Sequence, residues 1–196
     1  MGAKMKTFST KSLIKDCDWL SEEEKEVALF GLMQGKSLFN SIVVTILLGL
    51  LMGLFWESVL FVIGFLPLRR YAGGFHARTR RGCLLFSVAV ILAVFLVIKY
   101  FRCAEWIIAA ISFICLMLLW KIAPVGNEKR LLSEKEKACF GKKTKIIAGT
   151  EFIAMLIALL FGESRCAVVV MSVFAAEVLC AVLGYMKLQR FENKRE

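Results

Sequence analysis

One stretch, RRYAGGFHARTRRGC at residues 69–83, gathers the side chains of this chain that could do chemistry. It holds the single histidine, His76, one of seven cysteines, Cys83, five arginines and the paired glycines Gly73 and Gly74. A thiol and an imidazole are the parts of a nucleophile and its base: the base takes the thiol proton and the sulfur attacks a carbonyl carbon. On one straight helix a spacing of seven puts both side chains on one face, but about 10 Å apart along the axis. Proton transfer needs about 3 Å. Gly73 and Gly74 give the backbone freedom to leave a helix. A loop through 70–79 is therefore expected to fold His76 back over the start of a helix that begins near Thr79, an acceptable N-cap. Cys83 then falls in the first turn or so. There the helix N-terminus and the neighbouring Arg69, Arg70, Arg78, Arg80 and Arg81 favour an anionic sulfur, and first-turn amides can hold an oxyanion. No aspartate or asparagine in the stretch can orient the histidine, so a two-residue dyad is expected. Each part alone also has an ordinary reading: a packing cysteine, a solvated histidine, arginines that mark topology.

The elements that must position this stretch are membrane helices. The chain has 196 residues, of which 59% are hydrophobic, and a mean hydropathy of +0.70. A soluble domain carries about 45–50% apolar residues. The reading is an all-α integral membrane protein, a polytopic bundle of about six transmembrane helices with an N-terminal amphipathic helix. Residues 1–37 form a cytoplasmic or interfacial segment, with a Ser21–Glu24 capping box ahead of its apolar positions. Residues 38–196 form the membrane domain, with the candidate loop at 67–83. The apolar run 38–68 is broken only by Glu57 and would be about 45 Å long as one helix, against a hydrocarbon core of about 30 Å. A turn is expected at Phe55-Trp56-Glu57-Ser58. Further spans are expected at 83–99, 106–120, 146–161 and 166–187, with Pro67 and Pro124 where spans end and a tight turn at 162–165.

Charge sets the orientation. The formal net charge is +10. Five arginines stand in loop 67–82, eight lysines and arginines in 121–145 and four in the tail from Lys187, whereas 99–105 and 162–165 hold Lys99, Arg102 and Arg165. By the positive-inside rule the basic loops and the C-terminus are cytoplasmic. One tilted helix or two short ones would both fit 38–68; the lysines of 1–37 favour the cytoplasm too, and if both ends of 1–68 are cytoplasmic the run crosses twice. The charge is dispersed between apolar spans, so it points to an anionic lipid leaflet or an acidic partner, not to nucleic acid. The cysteines at 17, 83, 103, 115, 139, 166 and 180 form no CxxC pair. No metal or cofactor is expected, and the thiols are mostly free, with Cys103–Cys166 the one conceivable pair. Glu57, Glu151 and Glu177 fall inside apolar runs, where acids are costly and are functional or paired with arginines.

Around Arg69, Tyr71, Ala72, Gly74, His76, Ala77 and Cys83 the chain resembles the accessory gene regulator B family of membrane cysteine peptidases. The shared pattern is R-x-Y-A-x-G-x-H-A with a cysteine seven residues after the histidine. Ala123-Pro124-Val125, opening the second loop, extends the resemblance; Lys129-Arg130-Leu131 departs from the lysine-proline pair that often follows there. The resemblance implies a catalytic pair of His76 and Cys83, positions needed for activity at Arg69 and Gly74, and no cofactor. Arg70, Thr79 and Arg80, beside them in the stretch, are read as supporting or substrate-binding residues. It implies as partner an AgrD-like propeptide whose acidic C-terminal tail is removed on the cytoplasmic side before a thiolactone or lactone closes. Membrane lipids and a second copy of the chain, as a homodimer, are the other partners implied. The alternative class is a non-catalytic membrane transporter or signalling-partner module, although no internal repeat of a transporter type is visible.

Overall fold

The computed structural model describes residues 22–75, 79–126 and 133–193. Among them are six helices and no strand: α1 Glu22–Leu51, α2 Phe55–Ala72, α3 Arg80–Tyr100, α4 Glu105–Ile122, α5 Glu134–Leu160 and α6 Ser164–Glu192. The all-α fold expected from hydropathy is what forms. Three stretches, Gly82–Tyr100, Glu105–Ile122 and Ser164–Arg190, are long and apolar enough to cross a membrane. Together with the outward display of Leu84, Leu85, Leu96, Trp106, Ile114, Ile153 and Leu160, they make this a membrane protein.

The chain divides into two compact units at Val43/Val44. Of the first, residues 22–43 are described; they form the leading part of α1 and expose Leu38 and Phe39. The boundary drawn at 37/38 falls inside this helix, and Ser21 of the expected capping box lies outside the described residues.

In the second unit α6 is the hub. Helices α2, α3, α4 and α5 all pack on it, and its apolar stretch is far more buried than those of α3 and α4. Small residues allow this. Ala167, Ala176, Cys180, Ala181 and Gly184 line α6, and small side chains let helices approach closely where lipid gives no hydrophobic drive. Phe61, Phe95 and Phe174 fill the buried core, with Phe61 against Phe95 at 6.3 Å between ring centroids.

Several element boundaries differ from the sequence expectation. The 38–68 run does fold as two helices, but the turn is at Met52–Leu54, where Gly53 takes φ 71°, and not at Phe55–Ser58, which already lie in α2. Pro67 ends nothing: α2 runs five residues past it, to Ala72. Proline forfeits one helical hydrogen bond, and packing on α6 carries the helix on. Arg69 and Arg70 are thus helical, and the connection to α3 begins at Gly73. The second basic loop is also shorter, because α5 starts at Glu134 under a Ser133–Glu136 capping box, so Lys135 to Lys145 lie on a helix. Ser164 and Arg165 belong to α6. Cys103 and Cys166 are both free thiols.

Candidate active site

The site begins where α2 stops. Gly73 takes φ 75° and Gly74 φ 124°, values open to glycine and strained for any other residue. The chain then turns onto α6, and the Phe75 N–H donates to the Cys180 carbonyl at 2.8 Å. The second loop braces the first: the Val125 N–H donates to the Ala72 carbonyl at 2.8 Å, and Gly73 pairs with Val125 as an isolated parallel bridge. Sequence resemblance at Ala123-Pro124-Val125 is therefore structural support for the loop before His76.

Arg69 is the clamp of this turn. Its Nη1 donates to the Gly73 carbonyl at 2.6 Å and its Nη2 to the Phe75 carbonyl at 2.7 Å. The planar guanidinium serves both acceptors at once. Behind it Glu177 of α6, wholly buried, stands 3.6 Å from Nη1, an ion pair without a hydrogen bond. Arg70, one residue on, points elsewhere. It is exposed, 5.9 Å from the Tyr71 ring centroid, and Lys143 lies 5.0 Å from the same ring. Successive helix residues diverge by about 100°, so the two arginines do different things.

Cys83 sits on the next helix. Thr79 is the N-cap of α3, its hydroxyl accepting from the Gly82 N–H at 3.1 Å, and the Cys83 N–H makes the first helical bond, to the Thr79 carbonyl at 3.0 Å. Gly82 and Cys83 amides are thereby engaged. Helix geometry leaves the amides of Arg80 and Arg81 without an intrahelical acceptor, so an oxyanion would fall to these two. The Cys83 thiol is free and half-buried. Phe75 packs on Phe86 of α3, ring centroids 4.9 Å apart. Phe86 is three residues after Cys83 and shares its helix face. The residue before His76 is therefore held over the face that carries the thiol. His76 itself, Ala77, Arg78 and the side chain of Arg80 lie outside the described residues.

This turn is the part of the chain richest in the pattern R-x-Y-A-x-G-x-H-A, and the match extends far beyond it: the accessory gene regulator B model covers residues 7–187. The chain belongs to the accessory gene regulator B family. It is 27% identical over 177 residues to an AgrB-like protein 2 of Clostridium perfringens, covering 84% of this chain and 83% of that one. An AgrB-like protein of Listeria welshimeri is 29% identical over 143 residues, 70% of this chain and 67% of that relative. No solved structure matches the chain significantly.

For an accessory gene regulator B chain, the motif's spacing now has a partial physical account. Arg69, Gly74, Thr79 and Cys83 come together at one end of α2, α3 and α6; Arg70 does not join them. Sequence reasoning missed Cys180, whose carbonyl anchors the turn, and Gly184. A Cβ built on Gly184 would lie 2.6 Å from the Gly74 carbonyl carbon and 2.8 Å from the Phe75 nitrogen. The signal was there, since a lone glycine in an apolar helix marks a close backbone approach. Gly184→Ala should push the turn off α6. Overpacking of this kind costs about 1–3 kcal/mol, and we expect about a tenfold or greater loss of site function with insertion unchanged, read as activity per folded protein in detergent. Full activity would mean the Gly74–Gly184 contact is not needed.

Proposed function

We propose that the protein is a membrane cysteine endopeptidase. It removes the C-terminal tail of an autoinducing-peptide precursor, an AgrD-like propeptide, and promotes closure of the core into a thiolactone or lactone. The observation that carries the reading is the free, half-buried Cys83 at the capped start of α3, three residues before Phe86, which packs on Phe75 of the turn that Arg69 holds.

In this reading His76 takes the Cys83 proton and the sulfur attacks the scissile carbonyl. The tetrahedral oxyanion collapses to a thioester on Cys83, and His76 returns the proton to the amine of the departing tail. A thiol or hydroxyl of the peptide core then displaces Cys83, its proton returning to the Cys83 sulfur through His76. One thioester replaces another at little cost when the core supplies a thiol. Water is the competitor, and a site at the edge of a membrane bundle limits it. The basic residues of α5 and of the C-terminal end of α6 would draw in an acidic tail. Co-expression with a short acid-tailed propeptide tests the proposal: the wild type should yield a shortened product and a Cys83 variant none.

The bundle also supports a multi-pass topology with the site in the cytoplasm. Residues 73–75 and 123–126 and the C-terminal end of α6 share one end, tied by the Ala72–Val125 bond and the Gly74–Gly184 contact. Connections 52–54, 101–104 and 161–163 share the other, tied by Lys99 to the Met52 carbonyl and Ser164 to Glu105. The basic residues gather at the first end, which the positive-inside rule puts in the cytoplasm. A Lys137→Cys label should be shielded from an impermeant reagent in intact cells and a Glu163→Cys label should react. The reverse pattern would invert the protein and remove a cytoplasmic site.

A further inference from the structure

Glu177 lies in the middle of the most buried helix and does no chemistry in the proposed cycle. Its side chain is wholly buried, and among the described residues neither of its carboxylate oxygens has a hydrogen-bond partner. A carboxylate in such a place is expensive and is retained for a partner. The partner is the Arg69 guanidinium at 3.6 Å. The other acids of the apolar runs are placed differently. Glu57 pairs with Arg165 at 2.8 Å at the far end of α2. Glu151 of α5 lies beside Gly64, and its Oε2 is also buried without a hydrogen-bond partner among the described residues.

Arg69 has two donors on carbonyls of the turn, and those carbonyls carry no full charge to balance it. An uncompensated guanidinium at this depth would extend its long side chain toward the interface, leaving the Gly73 and Phe75 carbonyls. We infer that Glu177 is a positioning residue of the candidate site: its charge keeps Arg69 turned inward, and Arg69 in turn fixes the Gly73–Phe75 turn against Cys180. The catalytic consequence rests on the peptidase reading given above; the clamp itself does not. Glu177 supplies no group to the proposed chemistry, so it acts on turnover through Arg69 and the turn.

The test uses the full-length protein in nanodiscs. Glu177→Gln keeps the shape and removes the charge. Hydrogen exchange of the Phe75 amide, bonded to Cys180, should accelerate by about tenfold, because loss of a charge-assisted contact opens a local structural unit. Glu57→Gln, the same change at the opposite end, should leave that amide as it was. With propeptide, Glu177→Gln should lower kcat by about tenfold with KM within about twofold, since binding contacts are untouched. Arg69→Gln combined with Glu177→Gln should be no worse than Arg69→Gln alone, because both act through one clamp. Losses that multiply would make Glu177 an independent packing residue and overturn the inference, as would unchanged Phe75 exchange in Glu177→Gln. If that variant does not fold, Arg69→Gln reads the same clamp, and unchanged Phe75 exchange there overturns it equally. A wild type that cleaves no propeptide would remove the peptidase reading and leave the exchange result to judge the clamp.

Discussion

Replacing Cys83 by alanine is expected to abolish propeptide cleavage, by a factor of about a thousand or more, while the protein still inserts and folds. The size follows from the role. A covalent nucleophile has no substitute in a site with one proposed base, and removal of such a group costs most of the rate enhancement. The stability cost is small by comparison. Cys83 is half-buried, and losing one sulfur forfeits roughly 1 kcal/mol at most of apolar contact. The Thr79 cap and the Phe75–Phe86 contact that hold the helix start remain. Full-length propeptide should accumulate beside a normally inserted variant. Cys83→Ser should retain at most a trace, because a hydroxyl is a far weaker nucleophile with a single imidazole. Cys139, exposed on α5, is the control: its substitution should leave cleavage intact. Normal processing by Cys83→Ala would sink the peptidase reading.

Arg69→Lys is expected to insert normally and cleave about tenfold to a hundredfold less. Two roles for this arginine make opposite forecasts. As a topology signal it could be exchanged for lysine, since the positive-inside rule counts both alike. As a clamp it could not. Arg69 reaches the Gly73 and Phe75 carbonyls with two different nitrogens while facing Glu177, and a lysine ammonium is a point donor on a flexible stem. Lysine keeps the charge opposite Glu177, so insertion and the buried ion pair survive. It loses at least one charge-assisted hydrogen bond, worth about 1.5–3 kcal/mol, which is about one to two decades of rate if the turn must be in place for catalysis. The measurement is kcat for propeptide cleavage on equal amounts of folded protein. An Arg69→Lys enzyme as fast as wild type would reduce Arg69 to a topology signal. It would also remove the reason for Glu177 to matter.

Much of this protein is legible in one dimension because its solvent is simple. Apolar runs of membrane length give helices in the expected order along the chain, since every backbone polar group in lipid must be satisfied within its own segment. Thr79 as the cap of α3 and Cys83 near its start follow from local rules alone, because a hydroxyl that accepts a first-turn amide needs no tertiary partner. Charge parity led to the expectation that the 38–68 run is two helices, and the run does break, at Gly53.

What failed at the boundaries failed for a tertiary reason. Pro67 reads as a helix end, and packing on α6 carries α2 past it to Ala72. The lysines of 135–145 are the exception: they read as a loop, although Ser133 and Glu136 spell a local helix start. The arginines at 69 and 70 read as equivalents; only the fold turns Arg69 inward to Gly73, Phe75 and Glu177 and leaves Arg70 on the surface. Motif spacing put a thiol and an imidazole within one loop. It could not join to that loop Cys180, Gly184 and Glu177, which lie about a hundred residues later on α6 and seat it. Local rules see the neighbours along the chain, and a helix packed through small residues brings together neighbours that the chain does not.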